Sequence, residues 1–161
     1  MNFYRFNNMR RTDKEINDPK VIEKILKRAK ICRIALIDDN KSYIVPMNYG
    51  YKDGFIYLHS ASEGRKIEIL RKNNSVCFEM DCKKELLKSK NPCKYGMKYY
   101  SLIGWGNAKF VNDFQEKIKS LDIIMQKYAS NTIFKYDEQQ VNHLTIIVIE
   151  INELTGKTSG Y

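Results

Sequence analysis

Residues 59–66, HSASEGRK, bring a hydroxyl, a glycine and two cations together at what reads as the end of a strand and the start of a helix. Ser60 and Glu63 have the spacing of a capping box, and the amides of a first helical turn lack partners within the helix. Arg65 and Lys66 stand beside Gly64, where backbone can approach an anion closely. Together these groups can hold a phosphate dianion through charge-assisted hydrogen bonds. The same pattern also describes a capped surface helix that begins with basic residues, and spacing alone leaves both readings open. His59, one of two histidines, is the one candidate for catalysis, as a proton donor or a polar contact to a ligand; a hydrogen-bonded structural histidine is the plainer reading. His143 is assigned no role. In VPMNYG, residues 45–50, Pro46 removes a ladder donor from a strand, which marks an edge or a bulge and leaves nearby backbone free for another partner.

Other chemistries are excluded. The sequence has no nucleophile elbow, no H-E-x-x-H, and no G-x-G-x-x-G that follows a strand and opens a helix. Cys32, Cys77, Cys82 and Cys93 form no paired C-x-x-C arrangement, so reduced thiols and no metal site are expected. An enzyme built this way needs a bound cofactor to carry the reaction, with the protein supplying placement and electrostatics. The chain of 161 residues has 28 basic and 19 acidic side chains, for a net charge of +9. Residues 1–30 and 83–98 carry the excess. Nucleic acid is a disfavoured partner all the same, because Tyr43, Tyr49, Tyr57 and Tyr99 alternate with apolar residues rather than with Lys and Arg. No apolar run approaches the length of a membrane span, and the N-terminus lacks the apolar centre of a signal peptide, so a cytoplasmic protein is expected.

These residues need elements to hold them. Pro19 opens a helix whose Val21, Ile22, Ile25 and Leu26 share one stripe. CRIALID and SYIVPMNYGY read as strands joined at Asp39-Asn40, the second presenting Tyr43, Val45, Met47, Tyr49 and Tyr51 on one face. KDG turns the chain into a third strand, FIYLHS, after which SASEGRKIEILRKN changes to a helical period. SVCFEMD, a Lys-rich loop and the long strand YYSLIGWGNAKFV follow; Gly104 and Gly106 leave one face of that strand open to a bend or a close approach. Trp105 between them could stack on a ligand, but packing is its more natural role. Asp113 caps an amphipathic helix bearing Phe114, Ile118, Leu121, Met125 and Tyr128, and LTIIVIEI is a last strand buried on both faces. Six or more mostly hairpin-linked strands with short helices give a mainly β fold, a closed or partly closed antiparallel barrel in a single domain over 1–161, with residues 1–8 an N-terminal extension.

The order of the motifs is more specific than any one of them. MRRTDKEI at 9–16, CRIAL at 32–36, YIVPMNYGY at 43–51, IYLHSASEGRKIEIL at 56–70 and YSLIGWGNAKF at 100–110 resemble the pyridoxamine 5'-phosphate oxidase-like superfamily. Within it, the chain is most similar to the nitroimidazole-resistance-like branch of flavin-nucleotide-binding proteins. The resemblance implies an FMN-binding split β-barrel that forms a homodimer with FMN between subunits. It implies that Arg65 and Lys66 bind the FMN phosphate with Ser60 and the backbone around Gly64. It also implies that Val45, Pro46, Met47, Asn48 and Tyr49 line the flavin ring, with Asn48 at its polar edge, and that His59 contacts flavin or substrate. Tyr100 and Ser101 fall where the partner subunit reaches the flavin. The implied function is reduction of small electron-poor molecules such as nitro compounds or quinones; a non-catalytic flavin- or haem-binding storage or sensor protein is the alternative. Oxidation of vitamin B6 is not expected, because ELTGKTSGY lacks the Arg- and His-containing segment that true pyridoxamine phosphate oxidases share.

Overall fold

The structure, a computed structural model, describes residues 9–129 and 132–161; the expected extension at 1–8 lies outside the described residues. In chain order the elements are α1 (Pro19–Arg28), β1 (Cys32–Asp38), β2 (Lys41–Met47), β3 (Tyr49–Lys52), β4 (Phe55–Ala61), α2 (Arg65–Lys72), β5 (Ser75–Leu87), β6 (Gly96–Val111), α3 (Phe114–Tyr128), α4 (Glu138–His143) and β7 (Leu144–Ser159). Local chemistry accounts for most boundaries. Asp18 caps α1 by accepting from the Lys20 amide at 2.8 Å, and Asp113 caps α3 by accepting from the Glu116 amide at 2.9 Å. Both hairpin turns have two consecutive residues at positive φ: Asp39 at 46° and Asn40 at 66°, then Asp53 at 51° and Gly54 at 89°. That is the backbone sense that matches the twist of the flanking strands.

Seven strands form one sheet in the order β2-β1-β5-β6-β7-β4-β3, each neighbouring pair antiparallel. The two end strands, β2 and β3, are separated in sequence by Asn48 alone. From Met47 to Tyr49 the chain reaches at most about 7 Å, so the sheet must curl until its ends nearly meet. This makes the barrel, and Asn48 is its seam. The sequence pattern reads residues 42–51 as one strand; the structure breaks it at Asn48 because its two halves pair on opposite edges, Met47 with Cys32 and Tyr49 with Leu58.

The alternation of each strand sets the core. Ile34, Leu36, Ile56, Leu58, Phe78, Met80 and Leu102 are fully buried inside the barrel, and Ile25 and Leu26 of α1 close one end. Ile147 and Ile149 of β7 face this core, while Ile146 joins Leu121 and Val141 in a second cluster under α3 and α4, so β7 is covered on both faces as its sequence suggests. The bend at the glycines is real. A Cβ on Gly104 would run into the Phe78 ring, one on Gly106 into the Glu150 carbonyl, and the β6–β7 register shifts between Trp105 and Gly106.

Two further differences have physical causes. The Lys-rich segment expected as a loop extends β5 to Leu87 and starts β6 at Gly96, a hairpin arm held by pairing of Glu85 with Lys98. Its few apolar side chains, Leu86, Leu87 and Met97, give too weak an alternation to announce a strand. The short α4, capped by Asp137, has only Val141 buried and shows no helical stripe. Among the described residues no helix is long and apolar enough to cross a membrane.

Candidate functional site

Three elements meet where β4 runs out: the end of β4, the start of α2, and the β1–β2 hairpin. Gly64 is the hinge between β4 and α2, with φ 111° and ψ 167°, a region of backbone space that is essentially reserved for glycine. Open space surrounds it, since a Cβ built there meets nothing within 4 Å. Conformation, rather than crowding, requires this glycine. The chain then enters α2 with the carbonyl of Gly64 accepting from the amides of Ile67 and Glu68, while the amides ahead of them have no carbonyl within the helix to bond.

The side chains converge on this point. Lys66 Nζ donates to Ser60 Oγ at 2.7 Å, and that is its only hydrogen bond among the described residues. Ser60 therefore serves the lysine and not, as the capping-box spacing suggested, the helix amides: it lies in β4, and α2 has no side-chain cap. Arg65 Nε donates to Asp38 Oδ2 at 3.0 Å, and the guanidinium lies over the Tyr43 ring at 4.9 Å from its centroid. An arginine has five N–H donors, so the contact to Asp38 leaves most of them available, and the ring holds the fork in place. Burial pulls the Lys66 ammonium below its ordinary range. Burial, and then the charge of Lys66, does the same to the His59 imidazole. Two cations that share one carboxylate among the described residues, Asp38, form an anion cradle, and His59 is close enough to feel the charge of Lys66.

The sequence does not mark Asp38 or Tyr43 as site residues. Asp38 ends a strand and Tyr43 is one of an alternating set, and only the pairing of β1 with β2 brings them under Arg65.

The other candidates divide by strand alternation. In β2 the side chains of Val45 and Met47 pack against the core and Pro46 is exposed; Asn48, between β2 and β3, is exposed as well. Tyr49 is fully buried at the opposite end of the barrel. Its hydroxyl donates to the Leu26 carbonyl at 2.6 Å and its amide donates to the Tyr128 hydroxyl at 3.0 Å, so this tyrosine fastens α1 rather than facing the cradle. His59 and Ser60 point to opposite faces of β4, His59 beside Ile146 and Ser60 inward. Tyr100 and Ser101 separate likewise: Tyr100 stacks on Tyr161 at 4.8 Å, and Ser101 lies across from Asp81 and Lys157 on the outer face.

With this geometry in hand, the comparison with known proteins is direct. The family model for pyridoxamine 5'-phosphate oxidase matches residues 18–158. The chain belongs to that family. It is similar to a candidate 5-nitroimidazole antibiotic resistance protein from Bacteroides thetaiotaomicron, whose solved structure is 35% identical, aligned over 89% of this chain and 86% of its own, with a TM-score of 0.81. A flavocytochrome from Azotobacter vinelandii shares the fold at 14% identity, covering 96% of this chain and 73% of its own with a TM-score of 0.83. A FAD-binding protein from Mesorhizobium loti does so at 20% identity, over 89% and 96% of the two chains, with a TM-score of 0.65. No curated protein matches the sequence. The superfamily read from the five motifs is borne out by the family match, and a similar structure described as a 5-nitroimidazole resistance protein agrees with the branch that the motifs named.

Proposed function

We propose that this member of the pyridoxamine 5'-phosphate oxidase family binds FMN as a homodimer in the cytoplasm and reduces small electron-poor molecules such as nitro compounds or quinones. The observation that carries the reading is the cradle itself: Lys66 on Ser60, Arg65 on Tyr43 and the Gly64 hinge, gathered at the first turn of α2. A terminal monoester phosphate is a dianion with three acceptor oxygens, which suits two cations, a hydroxyl and helix amides. Arg65 and Lys66 would hold that phosphate, and the outer edge of β2, with Pro46 and Asn48 exposed, would border the ring. A bound flavin supplies electron-transfer chemistry that no side chain here can provide. The protein's own part is to orient it, to exclude water, and to place His59 near the phosphate end of β4.

The outer face of the sheet supports the dimer. Ile44, Ala35, Cys77, Trp105 and Glu153 lie in one cross-strand row, with Ile37 and Ile103 two residues along on the same face. Ile44 is 61% exposed and Ile37 53%, with Ile103 at 42% and Trp105 at 37%, a contiguous apolar patch of the kind that marks an interaction surface. Glu153 Oε2 in this row is buried with no hydrogen-bond partner among the described residues, as expected of a group whose donor comes from a second copy.

The deciding experiment is an absorbance spectrum of protein purified without added cofactor, with mass identification of whatever is released. A flavin spectrum and the mass of FMN support the proposal; a haem band, or no chromophore and no uptake of added FMN, overturns it. If flavin-loaded protein is reduced and neither a nitroarene nor a quinone reoxidises it faster than free FMN, the reductase reading fails while the binding reading stands.

A further inference from the structure

At the far end of β1 from Asp38, α1 crosses the β5–β6 pair and leaves a cleft of about 340 Å³, within the roughly 300 to 1,000 Å³ common for small-molecule sites. The register sets it apart from the phosphate cradle. Arg33 pairs with Glu79, so Met80 lies level with Cys32 and Cys82 lies beyond the start of β1. Asp38 is at the other end of that strand, about 20 Å away at the usual rise per residue.

Its walls are chemically one-sided. Val21, Lys24, Ile25 and Arg28 recur at i, i+3, i+4 and i+7 along α1, so one helix face presents two apolar side chains and two cations. Opposite them stand Lys83 and the ring of Tyr100, with Lys83 Nζ 5.4 Å from the ring centroid. Among the described residues no carboxylate lines the cleft, and none of Lys24, Arg28 and Lys83 is in an ion pair. The neighbouring acid, Asp81, precedes Cys82 and is bound by Arg33 and Lys84, each at 3.1 Å. The Cys82 thiol registers the resulting field: burial raises its pKa, and Arg28 and Lys83 both act to lower it. Cations four residues apart on a helix repel each other, and here a third faces them, so the cleft gains from any anion it can admit. Its apolar and aromatic walls select a flat, partly apolar one. The larger cleft of about 830 Å³ beside α3 offers no such choice, since Lys52, Lys109 and Lys119 there are matched by Asp53, Glu116 and Asp122.

We propose that the cleft between α1 and the β5–β6 pair is a second ligand site, one that takes a small aromatic carboxylate, with Arg28 and Lys83 on the carboxylate and Tyr100, Val21 and Ile25 on the ring. The inference does not rest on the flavin reading, although the cleft includes Tyr100, which the family resemblance places where the partner subunit reaches the flavin. It is tested by calorimetric titration of the full chain with benzoate, with its neutral counterpart benzamide, and with inorganic phosphate. Expected are saturable benzoate binding, an affinity lowered about tenfold or more by Arg28→Gln or by Lys83→Gln, no change with Arg65→Ala, and much weaker binding of benzamide. Phosphate should be displaced from this cleft by benzoate. In the unaltered protein, benzoate should move the amide resonances of residues 21–28 and 82–83, a readout that needs no variant to fold. The proposal is overturned by no benzoate binding at millimolar concentration, by binding that Arg65→Ala removes and the other two variants leave intact, or by benzamide binding as tightly as benzoate.

Discussion

A half-buried lysine stands at each end of the barrel, and the two are used in opposite ways. Lys127, on α3, donates to the carbonyls of Leu26 and Lys27, both at 2.9 Å, and lies 3.8 Å from the centroid of the Tyr49 ring. Its three N–H donors are matched by two carbonyls and a ring face. Burial pulls this ammonium down to about 8, and those carbonyls, at the C-terminal end of α1, work against the pull by favouring the charged form. Lys66, at the other end, has a single serine hydroxyl. Arg65 beside it has one carboxylate at the rim, with the arginine side chain 55% exposed. A cation whose donors are all taken is part of the frame. One that keeps donors in reserve, in a place shaped by a glycine hinge, is set for a ligand.

The sharpest way to break this comparison is to remove the reserve cations. Arg65→Ala with Lys66→Met should weaken FMN binding at least about hundredfold, since hydrogen bonds to charged groups contribute about 1.5 to 3 kcal/mol each. Flavin fluorescence quenching measures it. The unfolding free energy of the flavin-free protein in urea should change by about 1 kcal/mol or less, since the exposed Arg65–Asp38 pair contributes little and Lys66 gives up a single hydrogen bond. An unchanged flavin affinity would return the residues to the role of an ordinary basic helix start. Lys127→Met should do the reverse. Losing the donor to Leu26 and Lys27 should cost about 1 to 3 kcal/mol in urea denaturation, while FMN affinity at the opposite end stays within about twofold of the original.

Which end did what was only partly legible in the sequence. The cradle was readable because its members lie within eight residues, 59–66, and local chemistry places them whatever the tertiary fold. Tyr49 was readable in part. Alternation puts it on the face of Val45 and Met47, and the structure has all three against the core, but the change of sheet edge at Asn48 depends on pairings with Cys32 and Leu58 that no local pattern encodes. Lys127 was invisible for the same reason, being about a hundred residues from the carbonyls it caps. The barrel class, the two hairpin turns and the cap of α3 came from short-range rules and hold in the structure; the seam at Asn48 and the β5–β6 arm required long-range pairing to be known.

Gly64 joins both halves of the comparison, because it is conformational in nature and functional in place. At φ 111° and ψ 167° an alanine is strained by about 1 to 3 kcal/mol even though its Cβ meets no atom within 4 Å. Gly64→Ala should lower stability by about that amount, or else move the hinge and loosen FMN; stability and affinity both unchanged would show that the hinge is not under this constraint. Asp38→Asn should act with the opposite sign. Removing a carboxylate from Arg65 at an exposed pair gives up about 1 kcal/mol or less of folding stability. It also removes a negative charge facing the phosphate, so FMN should bind up to about fivefold tighter, a gain that shrinks with added salt.

The smallest expected effect concerns protons. The His59 imidazole is held below its ordinary 6.5 by burial and by Lys66. The unfolded chain therefore binds more protons than the folded one between that lowered value and 6.5, and stability drops as pH falls through this window. A dianion in the cradle offsets the charge of Lys66, which raises the His59 pKa, so FMN binding near pH 6 should take up a fraction of a proton. Titration calorimetry at that pH, in two buffers of different ionisation enthalpy, measures the uptake directly. His59→Gln should abolish it while leaving most of the affinity in place. Binding without proton uptake would place the phosphate too far from Lys66 and His59 for either to feel it, and would break the assignment of this end of the barrel.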